Sequence, residues 1–144
     1  MLEIRPNLDD GIDRKDLQRV KQRFLTVNHQ RLGRAHCTLS NRQQLVLRLL
    51  PLLLHTNHPL LPGYVSGVTP AGFSGFEPTA ELIQEAQGLA RSFVYRPVRG
   101  YSKHQLYSLF LMGSLGSVGY VEQSDMDFWL CYDPQLDVHA IAEL

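Results

Sequence analysis

The chain has 144 residues, of which 44% are hydrophobic and 19% charged, and 14 basic residues balance 14 acidic ones. This composition is typical of one globular domain or a piece of a larger protein, and the balanced charge gives no reason to expect a nucleic-acid or membrane surface. The two cysteines, Cys37 and Cys131, cannot form a disulfide framework and are expected to be free thiols in a reducing compartment. Without a signal peptide or an apolar run long enough to cross a bilayer, the sequence predicts a cytoplasmic protein.

Three segments with helical spacing of apolar residues are predicted to form an N-terminal helical layer. They cover about residues 14–33, 40–54 and 78–93. Asp13 is the expected N-cap of the first helix, and Ser40 with Gln43 forms a capping-box pattern at the second. Pro78 suits the first turn of the third helix. The basic cluster of the first helix is interpreted as a solvated face rather than a nucleic-acid surface; it consists of Lys15, Arg19, Lys21 and Arg23.

Two histidines, His55 and His58, follow the second helix three residues apart. This spacing allows a metal site, but no further zinc-type ligand stands nearby, and Pro59 limits helical geometry after His58. We therefore favour a packed loop in which the imidazoles bond to the backbone. The basic segment 95–105 is interpreted as a solvated linker rather than a phosphate contact.

Two apolar runs, near residues 107–112 and 126–132, have the composition of strands and are predicted to be neighbours in one sheet. Gly113 and Ser114 end the first run. Glycine allows the backbone to approach a ligand closely, so this turn is a predicted phosphate cradle. A helix opening at Leu115 would add free N–H groups facing the same anion. Residues 138–144 are expected to begin another helix.

Asp125 and Asp127 flank Met126 at the start of the second run. Alternate residues of a strand point to one side, so the two carboxylates would be displayed together. A cation between them relieves their repulsion, and Mg²⁺ is usually held by one or two carboxylates plus substrate phosphates. A solvated strand edge is the alternative interpretation. Asp127 argues against it, because a carboxylate that interrupts an apolar strand needs a partner.

The order of strand, Gly-Ser turn and Asp-x-Asp strand resembles the signature of polymerase-beta-type nucleotidyltransferases. Two longer stretches, HTNHPLLPGY at residues 55–64 and MGSLGSVGYVEQSDMDFWLCYD at residues 112–133, are similar to the N-terminal region of bacterial class I adenylate cyclases. The resemblance implies that the phosphates of ATP and two magnesium ions are bound by a small set of residues. The nucleotide-binding candidates are Gly113, Ser114 and Ser124, and the catalytic and metal-binding candidates are Asp125 and Asp127.

The resemblance also implies an α+β fold, with a helical region at residues 1–100 and the start of a nucleotidyltransferase-like catalytic domain, with two strands of its sheet, at residues 101–144. The implied reaction converts ATP to 3′,5′-cyclic AMP and pyrophosphate by two-metal-assisted attack of the ribose 3′-hydroxyl on the α-phosphate.

That superfamily takes a third carboxylate from a later strand, so residues 1–144 are expected to be the N-terminal, truncated and inactive piece of a longer enzyme. A C-terminal regulatory region and regulatory proteins would belong to the longer protein. Two alternatives stay open: a nucleotidyltransferase that uses an external acceptor, and a non-catalytic helical interaction module.

Overall fold

The computed structural model describes residue 11 and residues 13–97, 104–121 and 125–144. The helices are α1 (Arg14–Thr38), α2 (Asn41–Thr56), α3 (Ala80–Leu89) and α4 (Val138–Ile141), and the strands are β1 (Leu106–Leu111) and β2 (Phe128–Tyr132). The predicted α+β class is confirmed, as are the helices predicted near residues 14–33, 40–54, 78–93 and 138–144 and the two predicted strands. Within the described ranges, no helix combines the length and apolar character that crossing a membrane requires.

Contacts within the chain define two compact units. The first comprises Met1–Thr38 and Ser114–Asp125, and the second comprises Leu39–Gly113 and Met126–Leu144. The predicted domain boundary between residues 100 and 101 lies outside the described residues. The division into a helical region and a catalytic domain therefore stays a prediction.

In the first unit, α1 begins as predicted and continues further than predicted. The Asp16 N–H donates to Asp13 Oδ1 at 2.8 Å, which confirms Asp13 as the N-cap. The helix passes through Gly33 and ends at Thr38. An interior glycine costs a helix about 1 kcal/mol, which packing can override. Here Ala35, which follows Gly33 by two residues, is fully buried.

The second unit has its apolar core between α2 and α3. The core consists of Leu49, Leu52, Leu61, Ala86 and Phe93. The capping box of Ser40 and Gln43 is present at the start of α2. The prediction that Pro78 lies in the first turn of α3 is wrong. Thr79 is the N-cap instead, because its hydroxyl accepts the Leu82 N–H at 3.2 Å. The helix α3 therefore begins at Ala80, the residue after Thr79.

The two strands pair antiparallel, with Leu111 opposite Phe128 and Phe110 opposite Trp129. The ladder extends one hydrogen bond further, because the Met112 N–H donates to the Asp127 carbonyl at 2.7 Å. It stops there because Gly113 turns the chain with a φ of 69°. The second strand therefore starts at Phe128 rather than near residue 126, and neither predicted carboxylate lies within it.

Candidate active site

The end of the β1–β2 ladder brings two of the predicted site residues together. An added Cβ on Gly113 would lie 2.7 Å from Asp127 Oδ2, so the carboxylate lies directly against the glycine backbone. The φ of 69° at Gly113 is in the left-handed region that favours glycine. Both the backbone conformation and the neighbouring carboxylate therefore favour a residue without a side chain at position 113.

The segment after Gly113 is a turn, and the predicted helix opening at Leu115 is not formed. The Ser117 N–H and the Ser117 hydroxyl both donate to the Ser114 carbonyl, at 2.9 and 2.5 Å. A second left-handed glycine, Gly116, follows with a φ of 73°. Two left-handed glycines within four residues favour successive turns over a helix, because a left-handed residue does not continue a right-handed helix.

Three successive backbone donors of the turn have no acceptor among the described residues; they are the N–H groups of Ser114, Leu115 and Gly116. Leu115 and Gly116 are buried, and a buried N–H without a partner is unfavourable. Successive N–H groups in a turn are a common binding site for anions. The turn can therefore bind a phosphate without the helix that the sequence predicted.

Asp125 and Asp127 have the chemistry that magnesium requires. Both residues are exposed, and no Lys, Arg or His among the described residues forms an ion pair with either carboxylate. The described residues contain no cluster of three or more metal-binding side chains. Two carboxylates completed by substrate phosphates are a usual magnesium donor set, so the residues fit the ion. Ser114 and Asp125 belong to the first unit, Gly113 and Asp127 to the second, and Ser124 lies outside the described residues.

Two arginines of α1 contact the turn, and the sequence did not indicate them. Arg31 Nε–H donates to the Leu115 carbonyl at 2.9 Å, and Arg34 Nε–H donates to the Gly116 carbonyl at 2.8 Å. A Cβ on Gly116 would collide with the Arg31 carbonyl oxygen. Because residues three apart on a helix share a face, both arginines lie on one side of α1, and this spacing was the only signal for them in the sequence. Neither arginine was among the basic residues of α1 that were interpreted as a solvated face, all of which are exposed.

Both imidazoles in the histidine-containing stretch at residues 55–64 bond to the backbone, as predicted. His55 is buried and lies within α2, and its Nδ1 accepts the Phe73 N–H at 3.0 Å. His58 Nδ1 accepts the Leu60 N–H at 3.2 Å. Burial, with a smaller effect of the neighbouring His104, lowers the pKa of His55. A neutral imidazole suits the acceptor role of Nδ1.

Comparison with known proteins agrees with the resemblance that the sequence shows at residues 55–64 and 112–133. The family model described as "Adenylate cyclase NT domain" matches residues 16–144. The chain belongs to the adenylate cyclase N-terminal domain family. The match includes both the histidine-containing stretch and the Gly-Ser and Asp-x-Asp segment. It therefore confirms the predicted resemblance to the N-terminal region of bacterial class I adenylate cyclases.

Several adenylate cyclases are similar to this N-terminal domain. The adenylate cyclase of Proteus mirabilis is 36% identical over 130 residues, which are 89% of this chain and 15% of that protein. The adenylate cyclase of Escherichia coli K12 is 34% identical over 124 residues, or 84% of this chain and 14% of that protein. The chain thus spans about one seventh of the length of these relatives. No solved structure is significantly similar to it.

Proposed function

We propose that this adenylate cyclase N-terminal domain binds ATP in a longer enzyme that forms 3′,5′-cyclic AMP and pyrophosphate. The observation that carries the proposal is the contact between Gly113 and Asp127, in which a carboxylate lies against the glycine of the Gly-Ser pair. Carboxylates and backbone N–H groups are the protein groups that suit a magnesium–triphosphate substrate.

Each residue of the proposed site has a separate task. The N–H groups of Ser114, Leu115 and Gly116, with the Ser114 hydroxyl, hold the triphosphate. Asp125 and Asp127 hold magnesium. When bound, magnesium supplies positive charge that stabilises the phosphates and makes the ribose 3′-hydroxyl more acidic. The turn orients the α-phosphate for in-line attack, and positioning of this kind contributes a large part of the rate of phosphoryl transfer.

The site is completed by parts of the longer protein. In this proposal, β1 and β2 are the first strands of a nucleotidyltransferase-type sheet, and a later strand supplies a third carboxylate. The enzyme is cytoplasmic and takes ATP as its substrate, with no nucleic-acid partner. Its C-terminal region and regulatory proteins control it.

The test uses the full-length protein that contains this domain. We expect cyclic AMP, measured by mass spectrometry, from ATP and magnesium without any added acceptor. Asp127→Asn should abolish most of this activity, whereas the charge-matched control Glu81→Gln, at an exposed position on α3, should not. Transfer of labelled nucleotide to an external acceptor would indicate another nucleotidyltransferase. Loss of all magnesium-dependent ATP binding would leave the non-catalytic helical interaction module.

A further inference from the structure

We propose that Arg31 and Arg34 of α1 are positioning residues for the turn at residues 114–117, which binds the triphosphate in the proposed function. This inference rests on the proposed ATP-binding function. All of the contacts involved lie within the first compact unit. The two Nε–H groups donate to consecutive carbonyls of the turn, Leu115 at 2.9 Å and Gly116 at 2.8 Å. The pair therefore fixes two adjacent peptide planes rather than one atom.

Fixing a carbonyl also fixes the N–H of the same peptide unit. In a planar trans peptide the N–H points opposite to the C=O. When the Leu115 carbonyl points to Arg31, the Gly116 N–H points away from that guanidinium. This N–H is one of the turn donors without an acceptor in the described part of the chain. The arginine thus keeps this donor turned away from its own guanidinium, so that a phosphate oxygen can accept it.

The second peptide plane closes the turn that carries Ser114. With the Gly116 carbonyl bonded to Arg34, the Ser117 N–H points the opposite way, and it donates to the Ser114 carbonyl at 2.9 Å. Arg34 therefore fixes the peptide unit whose N–H donates to the Ser114 carbonyl, and this hydrogen bond holds Ser114 in place. The position of Arg34 relative to the turn depends on the geometry of the guanidinium Nε–H and not only on its charge.

Gly116 is the feature that permits this close approach. It is buried, has a φ of 73°, and lies so close to α1 that a Cβ would collide with the Arg31 carbonyl oxygen. Because that oxygen belongs to helical backbone, it cannot move aside as a side chain can. Gly116→Ala should therefore push the turn away from both arginines without any change of charge.

Two variants and two matched controls test the inference in the full-length protein. Arg34→Met removes the Nε–H donor while keeping a side-chain stem of similar length, and Gly116→Ala displaces the turn. Arg23→Met is the first control, because Arg23 is an exposed arginine of the same helix. Gly75→Ala is the second, because Gly75 has a φ of 74° with nothing within 4 Å of an added Cβ. The controls reproduce the charge loss and the backbone strain separately.

The measurements are the KM for ATP, kcat, and hydrogen exchange of the amides in residues 113–121 without nucleotide. We expect Arg34→Met and Gly116→Ala to raise KM at least about tenfold, with a smaller change in kcat, because the turn binds phosphates in both the ground and transition states. Amide exchange in the turn should also become faster, while both controls stay close to wild type.

The outcomes separate this inference from the proposed function. If wild type forms cyclic AMP and Arg34→Met matches Arg23→Met in KM and exchange, the positioning role is overturned and the proposed function stands. If Gly116→Ala does not fold by circular dichroism, the comparison of the two arginine variants decides alone. If wild type shows no magnesium-dependent ATP binding, both the proposed function and the positioning role fail.

Discussion

Gly113→Ala separates the structural and functional roles of the glycine at the end of β1. The backbone at this position has a φ of 69°, and an added Cβ would lie 2.7 Å from Asp127 Oδ2. The substitution therefore has two effects: it strains the backbone, and it pushes a carboxylate. Gly75→Ala has only the first effect, because Gly75 has a φ of 74° and open space around an added Cβ.

The two effects differ in size and in kind. A left-handed conformation costs an L-residue about 1–2 kcal/mol, so both alanine variants should lower the free energy of unfolding by that amount. The Asp127 oxygen must move from 2.7 Å to at least 3.4 Å, where ordinary contact begins, a retreat of about 0.7 Å. A side-chain carboxylate can do this cheaply. The same retreat moves a proposed metal ligand, and a misplacement of ~1 Å at an active site can cost about 10²-fold in rate.

We therefore expect Gly113→Ala and Gly75→Ala to lower the melting temperature of the full-length protein equally, while only Gly113→Ala reduces cyclic AMP formation, by at least about tenfold. Adding Asp127→Ala to each glycine variant completes a double-mutant cycle. In that background the two variants should have the same effect on residual ATP binding. Equal activity of Gly113→Ala and Gly75→Ala would refute the claim that the contact with Asp127 serves the site.

Three further predictions follow from the same structure. Asp125→Asn or Asp127→Asn should lower kcat at least ~10²-fold, about 2.7 kcal/mol, with little change in thermal stability, and near-normal turnover at saturating magnesium would contradict the metal assignment. His55→Ala should cost about 1–3 kcal/mol in a urea titration, because the buried Phe73 N–H loses its acceptor. The pKa of His55 is lowered from 6.5, so the folded state binds fewer protons than the unfolded state. The contribution of His55 to stability is therefore complete above pH 6.5 and declines below it, and His55→Ala should flatten this pH dependence. Residues 1–144 alone should form no measurable cyclic AMP and bind ATP–magnesium no tighter than about millimolar by calorimetry, because the proposed third carboxylate is elsewhere.

The parts of the fold that depend on local sequence were predictable. The caps at Asp13 and Ser40 are formed by side chains that bond within three residues, so the sequence contains both partners. The pairing of β1 with β2 followed from two apolar runs separated by turn residues. The position of Gly113 at the end of β1 was predicted in the same way, whereas its contact with Asp127 was not.

The parts that depend on distant contacts were not predictable. Arg31 and Leu115 are 84 residues apart in the chain, and neither position carries a local signal for the other. The continuation of α1 past Gly33 depends on packing, which can outweigh the glycine's intrinsic cost. The start of β2 at Phe128 was missed because strand composition begins at Met126, whereas pairing ends where Gly113 turns away.

The register of the β1–β2 ladder determines whether the proposed site can exist. Leu111 lies opposite Phe128, which places Met112 opposite Asp127 and Gly113 against the Asp127 carboxylate. The connection between the strands is too long to fix this register as a tight turn would. The strands must fix it through their faces, since Trp129 is 64% exposed while its neighbours Phe128 and Leu130 are partly buried. A slip of one residue would reverse these faces, so the burial of the apolar side chains also holds Asp127 against Gly113.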